Sequence, residues 1–281
     1  NHALFDAVRG VTKYVKSDET ALEVTEASSL SAFGTDGFTV VSSGKTNTNS
    51  SNYVSWNWKA NGAGSANTDG DINSTVSANT TSGFSIVKYT GNGSNDQRVG
   101  HGLGSRPVTW FIKRLDTGTD DWIVYHQGLS SNWYDDTYLY LNSNNTIMGA
   151  VNAGTGNPTT SVFYVGSDNR TNASGNNYIA YVFAEKTGYS KFSKYTGNNS
   201  SDGPFVYTGF KPSFVMLKSI TAGNAQNWYI YDNKRDGYNG SNDGYMLRPL
   251  WANSSNANSS VGNYKFDIYS NGFKIREAGN Q

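Results

Sequence analysis

The apolar residues of this chain recur mainly with a period of two, the spacing of a β-strand. In residues 178–183 both alternating faces are apolar, which predicts a central strand covered on two sides. Residues 53–58 alternate polar positions with Val and two Trp, which predicts a half-exposed strand. Gly and Asn turn signals stand at residues 36–37, 176–177 and 270–272. The pattern therefore predicts an all-β protein.

Two stretches depart from this pattern. Residues 20–29 are the one part of the sequence whose residues favour a helix. Residues 61–82 are rich in Gly, Ala, Asn, Thr and Ser, and their only large apolar residues are Ile72 and Val76. Such a composition is typical of flexible connections, so residues 61–82 are predicted to be a linker or a long surface crossing.

The sequence repeats itself in blocks, and the first block is Lys-Tyr-Thr-Gly-Asn. It occurs at residues 88–92 and 194–198, each time where a predicted strand runs into a turn. A predicted strand with a proline near its start follows each copy, at residues 106–113 and 211–218. Proline is tolerated there because the first ladder N–H of a strand is often dispensable.

The second block occurs three times, at residues 1–10, 121–126 and 227–236. Its first and third copies align without a gap and share an aspartate and an arginine, Asp6 with Arg9 and Asp232 with Arg235. His126 occupies the aspartate position in the middle copy. Since a catalytic residue would not be the variable position of its block, we interpret His126 as a polar residue at a strand end.

The third block begins with a turn and a strand, at residues 35–40, 163–166 and 270–275. An aromatic strand closes its first two copies, at residues 53–60 and 178–185. The period is about 105 to 120 residues, the size of a β-sandwich domain. The sequence therefore predicts tandem antiparallel β-sandwich repeats, jelly-roll or concanavalin-like.

The blocks also predict where the repeats divide. The predicted parts are the end of an upstream sandwich (1–60), the linker (61–82), a complete sandwich (83–188) and a sandwich incomplete at its C-terminus (189–281). Because both ends of the sequence cut through a repeat, we expect more protein on either side.

Composition narrows the possible partners. Aromatic residues make up 14% of the 281 residues and charged residues only 16%, with a net charge of zero. This balance gives no basic footprint for nucleic acid and no polybasic membrane patch. The chain has no cysteine, which excludes disulfides and thiolate metal sites. No stretch is apolar for the roughly 20 residues that a membrane span needs.

No residue pattern points to catalysis, to a cofactor or to a metal. His101 lies between glycines, which favours a turn or capping role over a zinc site that would need further ligands nearby. The Gly-rich segment 100–104 is not followed by the Lys and helix of a phosphate loop. The acidic loop residues fit no 12-residue calcium loop, and no pair of carboxylates is singled out for glycoside hydrolysis.

Aromatic residues beside Asn and Asp in loops are the best candidates for contacts, because such rings stack on sugars while the polar groups form hydrogen bonds. The alternative is that they close a contact between domains or subunits, where Tyr and Trp are also enriched. The candidates are Trp133, Tyr134, Asp135, Asp136, Tyr238 and Trp251.

Several motifs together carry a resemblance that covers nearly the whole chain. They are YVSWNWKANG, a Thr-Asp-Gly tract, GFSIVKYTGNG, VGHGLGSRP, KRLDTGTDDWIVYH, NASGNNYIAYVFAE, and FVYTGFKPSFVMLK followed by WYIYDNKRDGYN. This series resembles the repeat of virion proteins from marine tailed bacteriophages and cyanophages. The resemblance implies a β-sandwich structural or fibre protein on the particle surface and implies no catalytic residue.

Together these observations lead to a functional expectation. We expect a non-enzymatic structural or adhesive component of a phage particle surface, such as a tail fibre, an appendage or a capsid decoration. Its partners would be copies of itself, other virion proteins and a host surface glycan, with no nucleic acid and no membrane insertion. The alternatives are a carbohydrate-binding module that attaches to host polysaccharide and, with less support, a depolymerase.

Overall fold

A computed structural model describes residues 2–132, 136–149, 152, 154, 156–235, 248–256 and 265–276. Within these residues the fold is almost entirely antiparallel β-structure, as the alternating pattern predicted. A single short helix, α1 (Asn169–Asn172), begins after Asp168, whose side chain accepts a hydrogen bond from the Arg170 amide.

The strands fall in three parts of the chain, residues 1–60, 61–188 and 189–281. The first part holds β1 (Leu4–Phe5), β2 (Lys13–Val15), β3 (Val24–Thr25), β4 (Leu30–Phe33) and β5 (Phe38–Val40). The middle part holds β6 (Ser65–Asn67), β7 (Ser74–Asn79), β8 (Phe84–Thr90), β9 (Gln97–Gly100), β10 (Thr109–Arg114), β11 (Ile123–His126), β12 (Leu139–Tyr140), β13 (Val162–Val165) and β14 (Asn177–Phe183). The last part holds β15 (Phe205–Tyr207), β16 (Phe214–Leu217), β17 (Tyr229–Asp232), β18 (Leu250–Trp251), β19 (Phe266–Tyr269) and β20 (Gly272–Ile275).

A seven-stranded sheet with the order β12-β11-β10-β14-β8-β7-β6 is the centre of the fold. Strand β14 lies between β10 and β8, with Phe183 opposite both Thr109 and Phe84. Its alternating residues enter two different cores: Tyr178 belongs to one and Tyr181 to the other. The prediction of a central strand covered on both sides is therefore confirmed.

The two faces of this sheet are covered differently. One face packs against the two-stranded sheet β13-β9, through buried residues such as Val99 and Phe163. The other face packs against strands from both outer parts of the chain, and Val15, Trp228 and Ile230 join its core. The three parts thus share one core. The division of the chain into separate sandwich domains stays a prediction.

The linker prediction for residues 61–82 is wrong, because β6 and β7 lie there and extend the central sheet. Ser74, Val76 and Ser77 are buried against their neighbours. The Ser77 hydroxyl donates to the Gly62 carbonyl at 2.7 Å and accepts from the Asn61 amide. Small polar residues form this strand because their hydroxyls find partners inside the sheet, whereas their composition resembles that of a linker.

Three further predictions of local structure are also corrected. The helix predicted at residues 20–29 is not formed, and β3 lies there instead. Residues 53–60 and residues 189–196, the second copy of the opening block, are not strands in the structure. Both were predicted as strands from alternation and from their places in the repeated blocks, and no described residue makes the ladder hydrogen bonds that would hold them in a sheet.

Candidate functional site

Three equivalent hairpins from the three parts of the chain pack together. They are β1–β2, β11–β12 and β17–β18, here called the first, second and third hairpins. The second sequence block forms the leading strand of each. Residues 2, 122 and 228 therefore occupy equivalent positions just before these strands.

A ring nitrogen at each of these positions bonds to the backbone of another hairpin. The Trp122 indole donates to the Lys16 carbonyl of the first hairpin at 2.7 Å. The Trp228 indole donates to the Tyr140 carbonyl of the second hairpin at 2.8 Å. His2 Nε2, as an N–H donor, lies 2.9 Å from the Trp251 carbonyl of the third hairpin.

The three accepting carbonyls are equivalent as well. Tyr140 is paired with the residue after Trp122, and Trp251 is paired with the residue after Trp228. In the first hairpin Leu4 is paired with Val15, so Lys16 stands opposite the residue after His2. Each hairpin therefore gives one such hydrogen bond and receives one. The three bonds form a closed ring in which each hairpin bonds to the next.

Two lysines at equivalent positions also join the backbone of neighbouring hairpin regions by hydrogen bonds. Lys113 Nζ donates to the carbonyls of Asp120 and Thr20, each at 2.9 Å. The equivalent Lys218 Nζ donates to the carbonyls of Gln226 and Asn144. Burial lowers the pKa of both Lys113 and Lys218 to about 8. Each amine donates to two carbonyls in segments that flank neighbouring hairpins, which is a structural role.

The repeated aspartate and arginine close the end of the hairpin strand. Asp6 accepts from the Arg9 amide at 2.8 Å and from Arg9 Nε at 2.5 Å, and a guanidinium nitrogen of Arg9 reaches the Leu4 carbonyl. Asp232 and Arg235 repeat these bonds in the third hairpin. In the first hairpin the Tyr181 hydroxyl of β14 also bonds to both Arg9 and Asp6.

In the middle copy of the block, His126 accepts the hydrogen bond that the aspartate accepts in the third copy. Its Nδ1 accepts from the Gly128 amide at 2.9 Å, as Asp232 accepts from the Lys234 amide at 3.0 Å. Burial lowers the pKa of His126 to about 4, so the neutral ring keeps Nδ1 free to accept at pH 7. The interpretation of His126 as a strand-end residue is confirmed.

His101 also has the structural role that its glycine neighbours indicated. Its Nδ1 accepts from the Leu103 amide at 3.1 Å, which closes a turn. The ring is buried, and burial lowers its pKa below the ordinary value. The turn role predicted for His101 is confirmed.

The six predicted contact residues do not come together as one described surface. Trp133, Tyr134, Asp135 and Tyr238 lie outside the described residues. Asp136 is buried, and its Oδ2 accepts from the Asn152 amide at 2.7 Å. Trp251 is half-buried in β18, where its carbonyl meets His2. A role of these six residues in binding sugar stays a prediction.

A different aromatic surface is exposed on the sheet β15-β20-β19, here called the outer aromatic face. Tyr207, Phe205 and Tyr269 are 64%, 45% and 37% exposed. The alternate residues Val206 and Ile268 point inward and are buried. The Phe205 and Tyr269 rings meet edge to face at 5.8 Å.

Gly272, which has no side chain, leaves room for the aromatic rings in the middle of this face. Gly272 of β20 lies between Tyr207 and Tyr269 in the sheet register. A Cβ on Gly272 would lie 2.7 Å from the Phe205 ring and 2.2 Å from the Val206 carbonyl oxygen. A side chain at residue 272 would therefore displace the Phe205 ring.

Charged groups border the outer aromatic face. Lys274 bonds to Asp202 at 2.5 Å, and Arg276 bonds to Asp267 at 2.6 Å. Arg276 also donates to the Tyr269 hydroxyl at 2.7 Å.

The outer aromatic face had a signal in the sequence. Period-two alternation in residues 205–207 and 267–269 places aromatic residues on one side of the sheet and inward apolar residues on the other.

The family model described as Domain of unknown function (DUF7483) matches residues 1–281. The chain belongs to the DUF7483 family. No curated protein and no solved structure matches it.

Two kinds of feature are absent from the described residues of the DUF7483 chain, a metal-binding cluster and a membrane-spanning helix. Within the residues that the structure describes, no group of three or more His, Asp or Glu side chains is arranged to hold a metal ion. No helix among them is long and apolar enough to cross a membrane. The site consists of an interlocked set of hairpins and an exposed aromatic face.

Proposed function

We propose that this chain is a non-enzymatic structural and adhesive component of a bacteriophage particle surface. The observation that carries the proposal is the closed ring of hydrogen bonds among the three hairpins. The Trp122 and Trp228 indoles join neighbouring hairpins, and the buried Asp6–Arg9 pair closes the strand of one hairpin, which suits a scaffold. The resemblance of the motifs to phage virion repeats supplies the setting. Its partners would be copies of itself and other virion proteins.

Labelling of intact particles tests this proposal. Antibodies raised against the purified chain should decorate the outside of particles made by the phage whose genome encodes it, on a fibre, an appendage or the capsid. Particles that lack the gene are the control and should stay unlabelled. A stable monomer whose gene has no phage genes around it would contradict the proposal.

The outer aromatic face supports a second candidate function, attachment to a host surface polysaccharide. Flat exposed rings stack on the apolar faces of sugar rings, and nearby charged groups can bond to sugar hydroxyls. Tyr207 and Phe205 supply such rings, with Lys274 and Arg276 beside them. The face lies on a regular sheet, so the rings are held in place before any ligand binds.

We expect Tyr207→Ala to weaken binding to purified host polysaccharide by about two- to tenfold, since one aromatic contact is worth about 0.5–1.5 kcal/mol. Tyr189→Ala, at an exposed tyrosine away from this sheet, is the matched control and should bind like the unaltered chain. Glycan-array binding measured at millimolar sugar checks both. Equal binding by the two variants, or no binding by the unaltered chain, would remove the second candidate.

A further inference from the structure

Among the described residues, strand β16 has a free edge where its counterpart in the middle part of the chain has a neighbour. Strand β10 is paired on both sides, with β11 and with β14. Strand β16 pairs with β17 on one side, and no described strand pairs with its other side. An unpaired strand edge presents N–H and C=O groups that can receive another strand.

The segment beside this edge is the counterpart of β14 from the first part of the chain. Residues 53–60 match residues 178–185 in the third sequence block. Trp58 thereby corresponds to Phe183, and Phe214 of β16 corresponds to Thr109 of β10. Thr109 and Phe183 are paired in the central sheet, so the repeat predicts that Phe214 pairs with Trp58.

The ring contacts agree with that register. The Trp58 and Phe214 rings lie edge to face with centroids 5.5 Å apart. Trp56 also meets Phe214, at 5.8 Å. Trp56 and Trp58 thus both contact the first residue of β16, and no backbone ladder joins residues 53–60 to β16.

The remaining neighbour of such a strand is close as well. In the central sheet β14 lies between β10 and β8, and residues 190–196 are the counterpart of β8. Phe192 of that segment lies 5.6 Å from Phe183, and Phe183 lies 6.2 Å from Trp58. Phe183 of β14 therefore contacts both residues 53–60 and residues 190–196, and Trp58 joins this group to β16 through Phe214.

We propose that the free edge of β16 is a strand-receptor site and that residues 53–60 of the same chain are its occupant. In the proposed paired state, which differs from the unpaired segment seen in the structure, they pair antiparallel with β16, with Trp58 opposite Phe214, and lie between β16 and residues 190–196. The strand comes from the first part of the chain and completes a sheet of the last part. Backbone hydrogen bonds hold the occupant, and its Trp residues set the register. This inference depends on neither a particle nor a sugar.

Because the chain contains no cysteine, paired cysteines report the register cleanly. We expect Trp58→Cys/Phe214→Cys to form a disulfide within the monomer under mild oxidation. The off-register pair Trp58→Cys/Met216→Cys is the matched control and should stay reduced, because a Cα separation above about 7 Å prevents a disulfide. Non-reducing electrophoresis and peptide mapping distinguish the products. Equal oxidation of both pairs, or linkage only between two copies, would overturn the proposal.

Hydrogen exchange on the unaltered chain tests the same point without loss of the two rings. We expect slow exchange of backbone amides in residues 54–58 and 214–217, approaching that of β14. Residues 47–51, which lie in an exposed loop, should exchange fast. Fast exchange throughout residues 54–58 would overturn the proposal, whatever the cysteine variants do.

Discussion

Replacing Trp122 with alanine is expected to lower the free energy of unfolding by about 3–5 kcal/mol, the range for a large aromatic side chain removed from a core. The Trp122 side chain is fully buried and stacks on Tyr181 at 6.2 Å. Its indole also donates to the Lys16 carbonyl, so the variant leaves that acceptor without its partner. Urea unfolding followed by circular dichroism measures the change.

The ring of hydrogen bonds makes a sharper version of this prediction. Trp122→Phe keeps part of the packing and removes the donor, so it should cost about 1–3 kcal/mol, less than Trp122→Ala. Tyr189→Ala, at an exposed position, should stay within about 0.5 kcal/mol of the unaltered chain. A Trp122→Phe variant as stable as the unaltered chain would show that the indole bond does not hold the hairpins together.

Arg9→Met is expected to cost about 3–5 kcal/mol, because it leaves the buried Asp6 carboxylate without its cation. Both side chains are almost fully buried, at 0% and 2% exposed, and the Tyr181 hydroxyl bonds to both. Arg235→Met is the matched control in the third hairpin. The Arg235 side chain is 14% exposed, so water can replace part of what is lost and the cost should be smaller.

Thermal and urea unfolding of both arginine variants test this order of effects. The double variant Asp6→Asn/Arg9→Met should recover part of the lost stability, because no charge is then left buried alone. A smaller effect for Arg9→Met than for Arg235→Met would contradict the account of the Asp6–Arg9 pair as a buried contact with β14.

Much of the fold could be predicted from local patterns. The alternation in residues 178–183 identified β14 and its two buried faces correctly, because a period of two sets which side chains share a face. The aligned repeats made Asp6 equivalent to Asp232 and Arg9 equivalent to Arg235. In the structure Arg9 bonds to Asp6 as Arg235 bonds to Asp232. His126 was interpreted correctly from the repeat alone.

The errors fall where composition and alternation say nothing about partners. Residues 61–82 resemble a linker, yet β7 is held by a ladder to β8 and by the Ser77 hydroxyl. Residues 53–60 and 189–196 have the alternation of strands but lack ladders in the structure. The outer aromatic face was not among the predicted contact surfaces, because those were aromatic residues in loops and Phe205 and Tyr207 lie in a strand.

The Lys-Tyr-Thr-Gly-Asn block illustrates the same limit. At residues 88–92 it ends β8, and Gly91 approaches Ala173 so closely that a Cβ would lie 2.5 Å from its carbonyl oxygen. At residues 194–198 the same five residues form no strand. Identical local sequence therefore takes two conformations, because only the first copy has β14 beside it.

The sequence by itself determined the all-β class, which follows from period-two alternation, and the repeated blocks. It also determined the residues that end the leading strand of each hairpin, because Asp, His and Arg form local hydrogen bonds there. Only the tertiary structure decided that three hairpins share one core and that ring nitrogens at residues 2, 122 and 228 close a ring. The physical reason is distance along the chain. Contacts such as that of His2 with Trp251 join residues 249 positions apart, and no local pattern specifies which distant carbonyl will accept a given donor.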